Sequence, residues 1–166
     1  MHSKTLALCA ILLCSGPPLA MAQSVSDPAA FARIAASSNM FEIESSQLAL
    51  DKATGDDVRE FAQHMIDDHT AAGEKMKVAA EADGVVPPAT MADKEQAQLD
   101  KLEAAGDTDF DAAYVTAQVA AHDEAVALFR DFSENGQESA LRSFATETLP
   151  TLEEHQSAVH DLADES

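Results

Sequence analysis

Apolar residues recur every three or four positions through most of this chain, which is the period of helices that bury one face. Glycine and proline interrupt the pattern near positions 28, 55, 84–88, 106, 136 and 150. The uninterrupted stretches predict four long helices, over residues 27–53, 56–83, 108–134 and 137–162, and a short helix over residues 91–105. Pro150 falls inside the last stretch and predicts a kink in that helix.

The expected helix ends carry recognisable capping residues. Asp27 is a favoured N-cap residue and Pro28 follows it in the first turn. Thr108 and Asp111 have the T-x-x-D spacing of a capping box and predict the start of the third long helix. Gly84 is expected to close the second long helix.

The four long helices predict an all-α fold. Amphipathic helices of similar length hide their apolar faces against one another most simply in a four-helix bundle. The links near Gly55 and Gly136 are short and require antiparallel neighbours, whereas residues 84–107 are long enough to cross the bundle. We therefore expect two hairpins joined by a long crossover connection that contains the short extra helix.

The first 22 residues have the three parts of a secretory signal peptide. Lys4 provides the basic start, residues 5–14 are an apolar run, and Ala20 and Ala22 are the small residues of a cleavage site. Cleavage after Ala22 would leave residues 23–166 as one domain, in the periplasm or secreted. No later stretch reaches the roughly 20 apolar residues that cross a bilayer, so no membrane insertion is expected.

Charge and cysteine content argue against several partners and ligand types. Lys and Arg number 10 and Asp and Glu number 30, and the formal net charge of −20 opposes binding to nucleic acid. Cys9 and Cys14 both lie in the expected signal peptide, so the remaining chain has no disulfide and no thiolate ligand. The sequence also has no nucleophile elbow, P-loop or H-E-x-x-H motif, and therefore does not indicate a hydrolase.

Each long helix has one titratable residue in its apolar face, close to the helix midpoint. These residues are Glu42, His69, His122 and His155. Midpoints of packed helices of similar length lie at similar depth, so the four side chains are expected to converge in one layer of the core. Even one unpaired buried polar group costs about 1–3 kcal/mol, so this layer needs partners. One carboxylate and three neutral imidazoles around a single ion would supply them, and that ligand set suits zinc, copper or mononuclear iron.

A metal-free layer is the alternative interpretation. The four residues would then hydrogen-bond one another and fix the helix register of a structural or stress-associated envelope interaction module. Asp68 is a candidate to orient a histidine of another helix. The sequence leaves both interpretations open, and it identifies neither a protein partner nor a reaction.

Several neighbours of the layer have expected positions of their own. Gln118 lies one turn before His122, where its amide could hydrogen-bond a ligand of the site, but a position that reaches solvent from the helix edge is favoured. Tyr114 is expected to pack in the core with one hydrogen bond. His64 and His160 lie five residues from a core histidine, about 140° around the helix, and are expected to face solvent or the rim.

Four segments, in order, resemble a secreted bacterial family. They are Phe41-Glu42-Ile43-Glu44 with Leu48-Ala49, Phe61-Ala62 through Met65 to Asp68-His69, Phe110-Asp111 with Tyr114 to His122, and Leu149-Pro150 to His155. The family is catalogued as domain of unknown function four-one-four-two and is grouped with the ferritin-like folds. The resemblance covers nearly the whole mature chain and implies a ferritin-like four-helix bundle with a long crossover. It implies no activity.

The di-iron pattern of ferritins is absent from this sequence. Those sites need Glu-x-x-His on two helices. Ile66, Val119 and Leu152 stand three positions before the core histidines instead. An oxygen-activating di-iron centre is therefore not expected.

Overall fold

The computed structural model describes residues 25–106 and 108–165, and these ranges form five α-helices and no strand. The helices are α1 (Pro28–Lys52), α2 (Asp56–Ala82), α3 (Asp93–Glu103), α4 (Phe110–Asn135) and α5 (Ala140–Asp164). The predicted all-helical bundle is confirmed. The expected signal peptide, residues 1–22, lies outside the described residues.

The four long helices surround a common core. α1 packs against α2 and α4, α5 packs against the same two helices, and α3 lies on α1 and α4. α5 continues as a helix through Pro150. Across the two described ranges, no helix combines the length and the apolar character that crossing a membrane requires. The ferritin-like grouping and the crossover topology stay predictions.

The start of α4 differs from its prediction. The prediction of a capping box formed by Thr108 and Asp111 is wrong. α4 begins at Phe110, and within the described chain its N-cap Asp109 makes no side-chain capping bond. The Asp111 carboxylate instead accepts hydrogen bonds from Thr54 N at 3.1 Å and Gly55 N at 2.8 Å, just before α2. Gly55 is the N-cap of α2, so the carboxylate from α4 satisfies a backbone N–H group at the start of that helix.

At the opposite end of the bundle, a second aspartate accepts hydrogen bonds from the backbone at the start of another helix. Asp83, immediately after α2, accepts from Ala140 N and Leu141 N at the start of α5, both at 2.8 Å. The predicted N-cap Asp27 is confirmed, because its carboxylate accepts from Ala30 N at 2.9 Å. Asp111 therefore joins α4 to the start of α2, and Asp83 joins the end of α2 to the start of α5.

The core has two apolar clusters separated by a polar layer. One cluster includes Phe31, Phe129 and Phe144, and the other includes Phe41 and Phe61. The buried polar side chains come mainly from the middle of the helices, between these clusters. They are Ser37, Glu42, Ser45, Ser46, His69, Gln118, His122 and His155. The layer predicted from the helix midpoints is therefore present at the waist of the bundle.

Candidate metal centre

Three of the four predicted site residues meet in this layer. His69 comes from α2, His122 from α4 and His155 from α5, and one ring nitrogen from each lies within 4.8 Å of the others. The ring centroids of His69 and His122 are 5.8 Å apart, and each is 5.6 Å from that of His155. Their residues are 6 %, 0 % and 3 % exposed.

One ring nitrogen of each histidine is held by a protein oxygen. The pairs are His69 Nδ1 with Asn39 Oδ1 at 3.1 Å, His122 Nδ1 with the carbonyl oxygen of Gln118 at 3.0 Å, and His155 Nε2 with Asp68 Oδ2 at 2.9 Å. An oxygen acceptor requires the proton to sit on that nitrogen. The other nitrogen of each neutral ring therefore carries a free lone pair.

Those three lone pairs belong to buried atoms. His69 Nε2, His122 Nε2 and His155 Nδ1 have no hydrogen-bond partner among the described residues. Each unsatisfied buried atom costs about 1–3 kcal/mol, so three of them close together need a further explanation. Neutral imidazoles, each fixed through its second nitrogen by an oxygen, are the usual arrangement around a protein-bound transition metal.

Burial favours the neutral form of two of these rings, those of His69 and His155. Burial lowers the pKa of His69 well below its usual value, and His122 and His155 lower it further. Burial also lowers the pKa of His155, although its hydrogen bond to Asp68 partly opposes this. Because a metal binds the neutral ring, His69 and His155 need not first lose a proton at neutral pH.

Glu42, the fourth predicted ligand, lies in the layer but outside the group of three histidines. Its residue is 1 % exposed, and within the described chain neither carboxyl oxygen has a hydrogen-bond partner. Burial raises the pKa of Glu42, and the nearby His122 and Gln118 only partly offset this. The carboxyl group thus stands beside one ligand-type histidine, and its own role as a ligand stays a prediction.

Two further buried hydrogen bonds join residues of α1 and α4 near Glu42. Gln118 Nε2 donates to Ser45 Oγ at 3.0 Å, and the hydroxyls of Ser46 and Tyr114 share a hydrogen bond of 2.8 Å. The expectation that Gln118 reaches solvent is wrong, because the small serines of α1 leave room for its amide inside the core. The expectation that Tyr114 packs in the core with one hydrogen bond is confirmed.

Of the two side chains that hold a histidine of the site, the sequence predicted one and not the other. Asp68 holds a histidine of another helix, as predicted. Asn39 was missed, although it lies three residues before Glu42 and therefore on the same side of α1. His64 is exposed, as predicted, but it also contacts Asp68, with 3.0 Å between Nε2 and Oδ2.

A small cavity adjoins His69 and His155. It has a volume of about 30 Å³ and is bounded by these two histidines, Asp68 and Asn39, and mainly apolar side chains, with one serine and two threonines, complete the wall. One or two water molecules fit in such a volume. An ion held by the three imidazoles would therefore have space beside it for a small additional ligand.

Comparison with known proteins adds a family and a fold. A family model described as "Domain of unknown function (DUF4142)" matches residues 15–162. No curated protein matches the chain. Among solved structures, "CopM in the Cu(II)-bound form" superposes with a TM-score of 0.69 and 16 % sequence identity, covering 84 % of this chain and 97 % of that one. At this level of identity the similarity supports the helical-bundle fold.

Proposed function

The chain belongs to the DUF4142 family, and from this premise we propose that it is an exported envelope protein that binds one transition-metal ion through His69, His122 and His155. The observation that carries the proposal is the orientation of the rings. Each has one nitrogen bonded to a protein oxygen and a second, buried nitrogen without a partner in the described chain, and one nitrogen of each ring lies within 4.8 Å of the others. Export is supported by the signal-peptide pattern of residues 1–22.

The donor set favours copper as the first ion to test. Three imidazole nitrogens without a thiolate suit Cu(II) and Zn(II), and divalent copper binds such sites more tightly than zinc or iron. The similar fold of CopM, described in a Cu(II)-bound form, supports the same choice. Three protein ligands with a small cavity beside them also leave one coordination position for water or another small molecule.

The nearby carboxylates would balance the charge of a divalent ion, because neutral imidazoles bring none. Asp68 already holds His155. Glu42 is the buried carboxyl group beside His122, and a movement of its side chain toward the ion would add the fourth ligand that the sequence predicts. Separate substitutions of Asp68 and Glu42 distinguish the carboxylate that holds His155 from the one that would bind the ion.

The decisive measurement is Cu(II) binding by the untagged, metal-free protein in competition with a chelator. We expect one tightly bound ion per chain, and a loss of more than about 100-fold in affinity for His122→Gln, because a direct ligand contributes more than the 10- to 100-fold of an outer partner. His160→Gln is the matched control, since His160 is an exposed histidine that contacts a carboxylate, that of Asp123, at 3.0 Å. Equal affinity in the wild type and His122→Gln would refute the proposal.

The metal-free structural layer predicts a different outcome. In that case Cu(II) and chelator leave the melting temperature unchanged, while apolar replacement of Glu42 and the three histidines raises it. The proposed metal site predicts instead that saturating Cu(II) stabilises the wild type by about 2.7 kcal/mol when the free ion is 100 times the Kd.

A further inference from the structure

The ring of His155 has neighbours on both of its sides. Its Nδ1 is buried and has no hydrogen-bond partner among the described residues, and its Nε2 lies 2.9 Å from Asp68 Oδ2. The same oxygen lies 3.0 Å from Nε2 of His64. The ring centroids of His64 and His155 are 5.2 Å apart.

We propose that His64, Asp68 and Nε2 of His155 form a second, outer metal site that receives the ion at the protein surface and transfers it to the inner three-histidine site. This inference rests on the proposed function, because it describes how an ion reaches the buried ligands. One ligand atom from each of the three residues lies within 4.8 Å of the others. Two imidazoles and a carboxylate suit the same zinc and copper ions as the inner site.

The exposure of the three side chains decreases in order toward the core. The His64 side chain is 61 % exposed, that of Asp68 37 % and that of His155 3 %. An ion arriving from solvent therefore meets His64 first and His155 last. The outer site would give the ion a first binding position at the surface, because the three inner histidines are at most 6 % exposed.

Asp68 marks the boundary between the surface and the inner site. It lines the cavity beside His69, and it also lines a surface groove between α2 and α5. The groove carries Glu147 and Glu154 against the single cation Lys75. This excess of negative charge raises the local concentration of cations at the opening.

Two of the separations between ligand atoms of the outer site are close to those around a bound ion. Ligand atoms around a tetrahedral ion with bonds of about 2.1 Å lie about 3.4 Å apart. The separations of 3.0 and 2.9 Å from Asp68 Oδ2 to the two Nε2 atoms need only small side-chain rotations to reach that value. His64 and Asp68 lie one helical turn apart on α2, so a regular helix presents them together.

A neutral His155 ring binds one ion at a time. Before an ion arrives, Nε2 carries the proton and donates a hydrogen bond to Asp68, while Nδ1 has the lone pair. When Nε2 binds the outer ion, it releases its proton to solvent water, and Nδ1 takes up one proton from water, so the ring stays neutral. When the ion moves to Nδ1, that nitrogen releases its proton to water, and Nε2 takes one up and restores its hydrogen bond to Asp68. The oxidation state of the ion does not change, and the two sites compete for the same ring.

The test compares outer-site variants in a protein whose inner site is disabled. With Cu(II) as the probe, His122→Gln should retain one weaker site with imidazole ligands, visible in the electron paramagnetic resonance spectrum. His122→Gln with His64→Gln should lose it, whereas His122→Gln with His160→Gln should keep it. If both double variants bind Cu(II) alike, the outer site is refuted while the inner site is unaffected.

A kinetic measurement tests the transfer itself. His64→Gln alone should leave the equilibrium affinity of the inner site within about twofold, but it should slow the loading of limiting Cu(II) at least several-fold relative to His160→Gln. Equal loading rates in these two single variants would refute the transfer route. If the wild type and His122→Gln bind Cu(II) with equal affinity, the proposed inner site fails instead, so the two failures are distinguishable.

Discussion

Asp68 on α2 and His155 on α5 meet across the seam between their helices, with Oδ2 and Nε2 separated by 2.9 Å. The contact fixes which nitrogen of His155 carries the proton. It thereby leaves the lone pair on Nδ1, in a ring whose centroid is 5.6 Å from those of His69 and His122. A single carboxylate thus decides whether the third imidazole of the site is available as a ligand.

Replacing Asp68 with Asn should weaken the inner site without unfolding the protein. The amide keeps the shape of the side chain but removes the charge that holds His155, and such outer partners are worth about 10- to 100-fold in metal affinity. Competition between the protein and a chelator for Cu(II) measures the change. Asp67→Asn is the control, because Asp67 is exposed and pairs only locally with Gln63 at 3.0 Å. Equal affinities in the two variants would contradict this role of Asp68.

Gly73 should matter for the site although it has no side chain. A Cβ at this position would lie 3.0 Å from Asn39 Nδ2, and the oxygen of the same amide holds His69. Gly73→Ala should gain less than the ~1 kcal/mol that alanine normally adds inside a helix, because Asn39 must shift. It should also lower Cu(II) affinity by about tenfold through His69, as Asn39→Ala should. Urea unfolding and Cu(II) titration give the two values, and an unchanged affinity in both variants would remove Asn39 from the site.

The metal-free protein should lose stability as the pH falls below about 6.5. Burial holds the pKa of His69 well below that value in the folded state, so only the unfolded chain takes up the proton. The unfolding free energy then falls with decreasing pH by up to about 1.4 kcal/mol per unit for this residue. Urea titrations between pH 7 and 5 should show a shallower slope for His69→Gln than for the wild type. Identical slopes in the two proteins would contradict the prediction.

Glu42 should have the opposite pH dependence. Burial raises its pKa above the usual 4.5, so the folded protein retains a proton that the unfolded chain releases. The resulting stabilisation is present below that pH and is lost as the pH rises through the raised pKa. The stabilising effect of Glu42→Gln on the metal-free protein should therefore increase from pH 5 to pH 8, as melting temperatures can show. An effect independent of pH would argue against a protonated Glu42.

Asp111 should stabilise the bundle from outside the core. Its carboxylate accepts from the backbone of Thr54 and Gly55, and these bonds together outweigh the effect of burial and lower its pKa. Asp111→Ala should cost about 1–2 kcal/mol, the range of a lost helix cap, and the difference should shrink as the pH falls through the carboxylate's pKa. Asp109→Ala, at the N-cap of α4, should cost less because in the described chain its side chain makes no capping bond. Chemical denaturation at pH 7 and pH 3 compares them, and equal losses would contradict the prediction.

Helix positions were largely predictable because they depend on neighbours in the chain. The period of apolar residues, the cap Asp27 and the break at Gly55 are local signals, and each predicted helix end lies within about three residues of the observed one. The convergence of His69, His122 and His155 was also predictable, since similar helices align their midpoints when their ends are fastened together.

Predictions from the same local signals were wrong for side chains that can hydrogen-bond to more than one helix. Asp111 has the spacing of a cap for its own helix, yet its carboxylate binds the start of α2. Gln118 stands at the edge of an apolar stripe, yet the two serines of α1 make room for it in the core. Both outcomes depend on which residues of a neighbouring helix pack against Asp111 and Gln118. The spacing of residues along one helix does not predict that.

By itself, the sequence determined that this protein is an all-helical bundle with three histidines and one glutamate at its waist, because helical period and length are properties of each segment alone. Only the tertiary structure decided which nitrogen of each ring is free, that Glu42 stands outside the group of three, and that His155 faces two sets of ligands. These features arise from the rotation of each helix against its neighbours. Packing sets that rotation for the bundle as a whole.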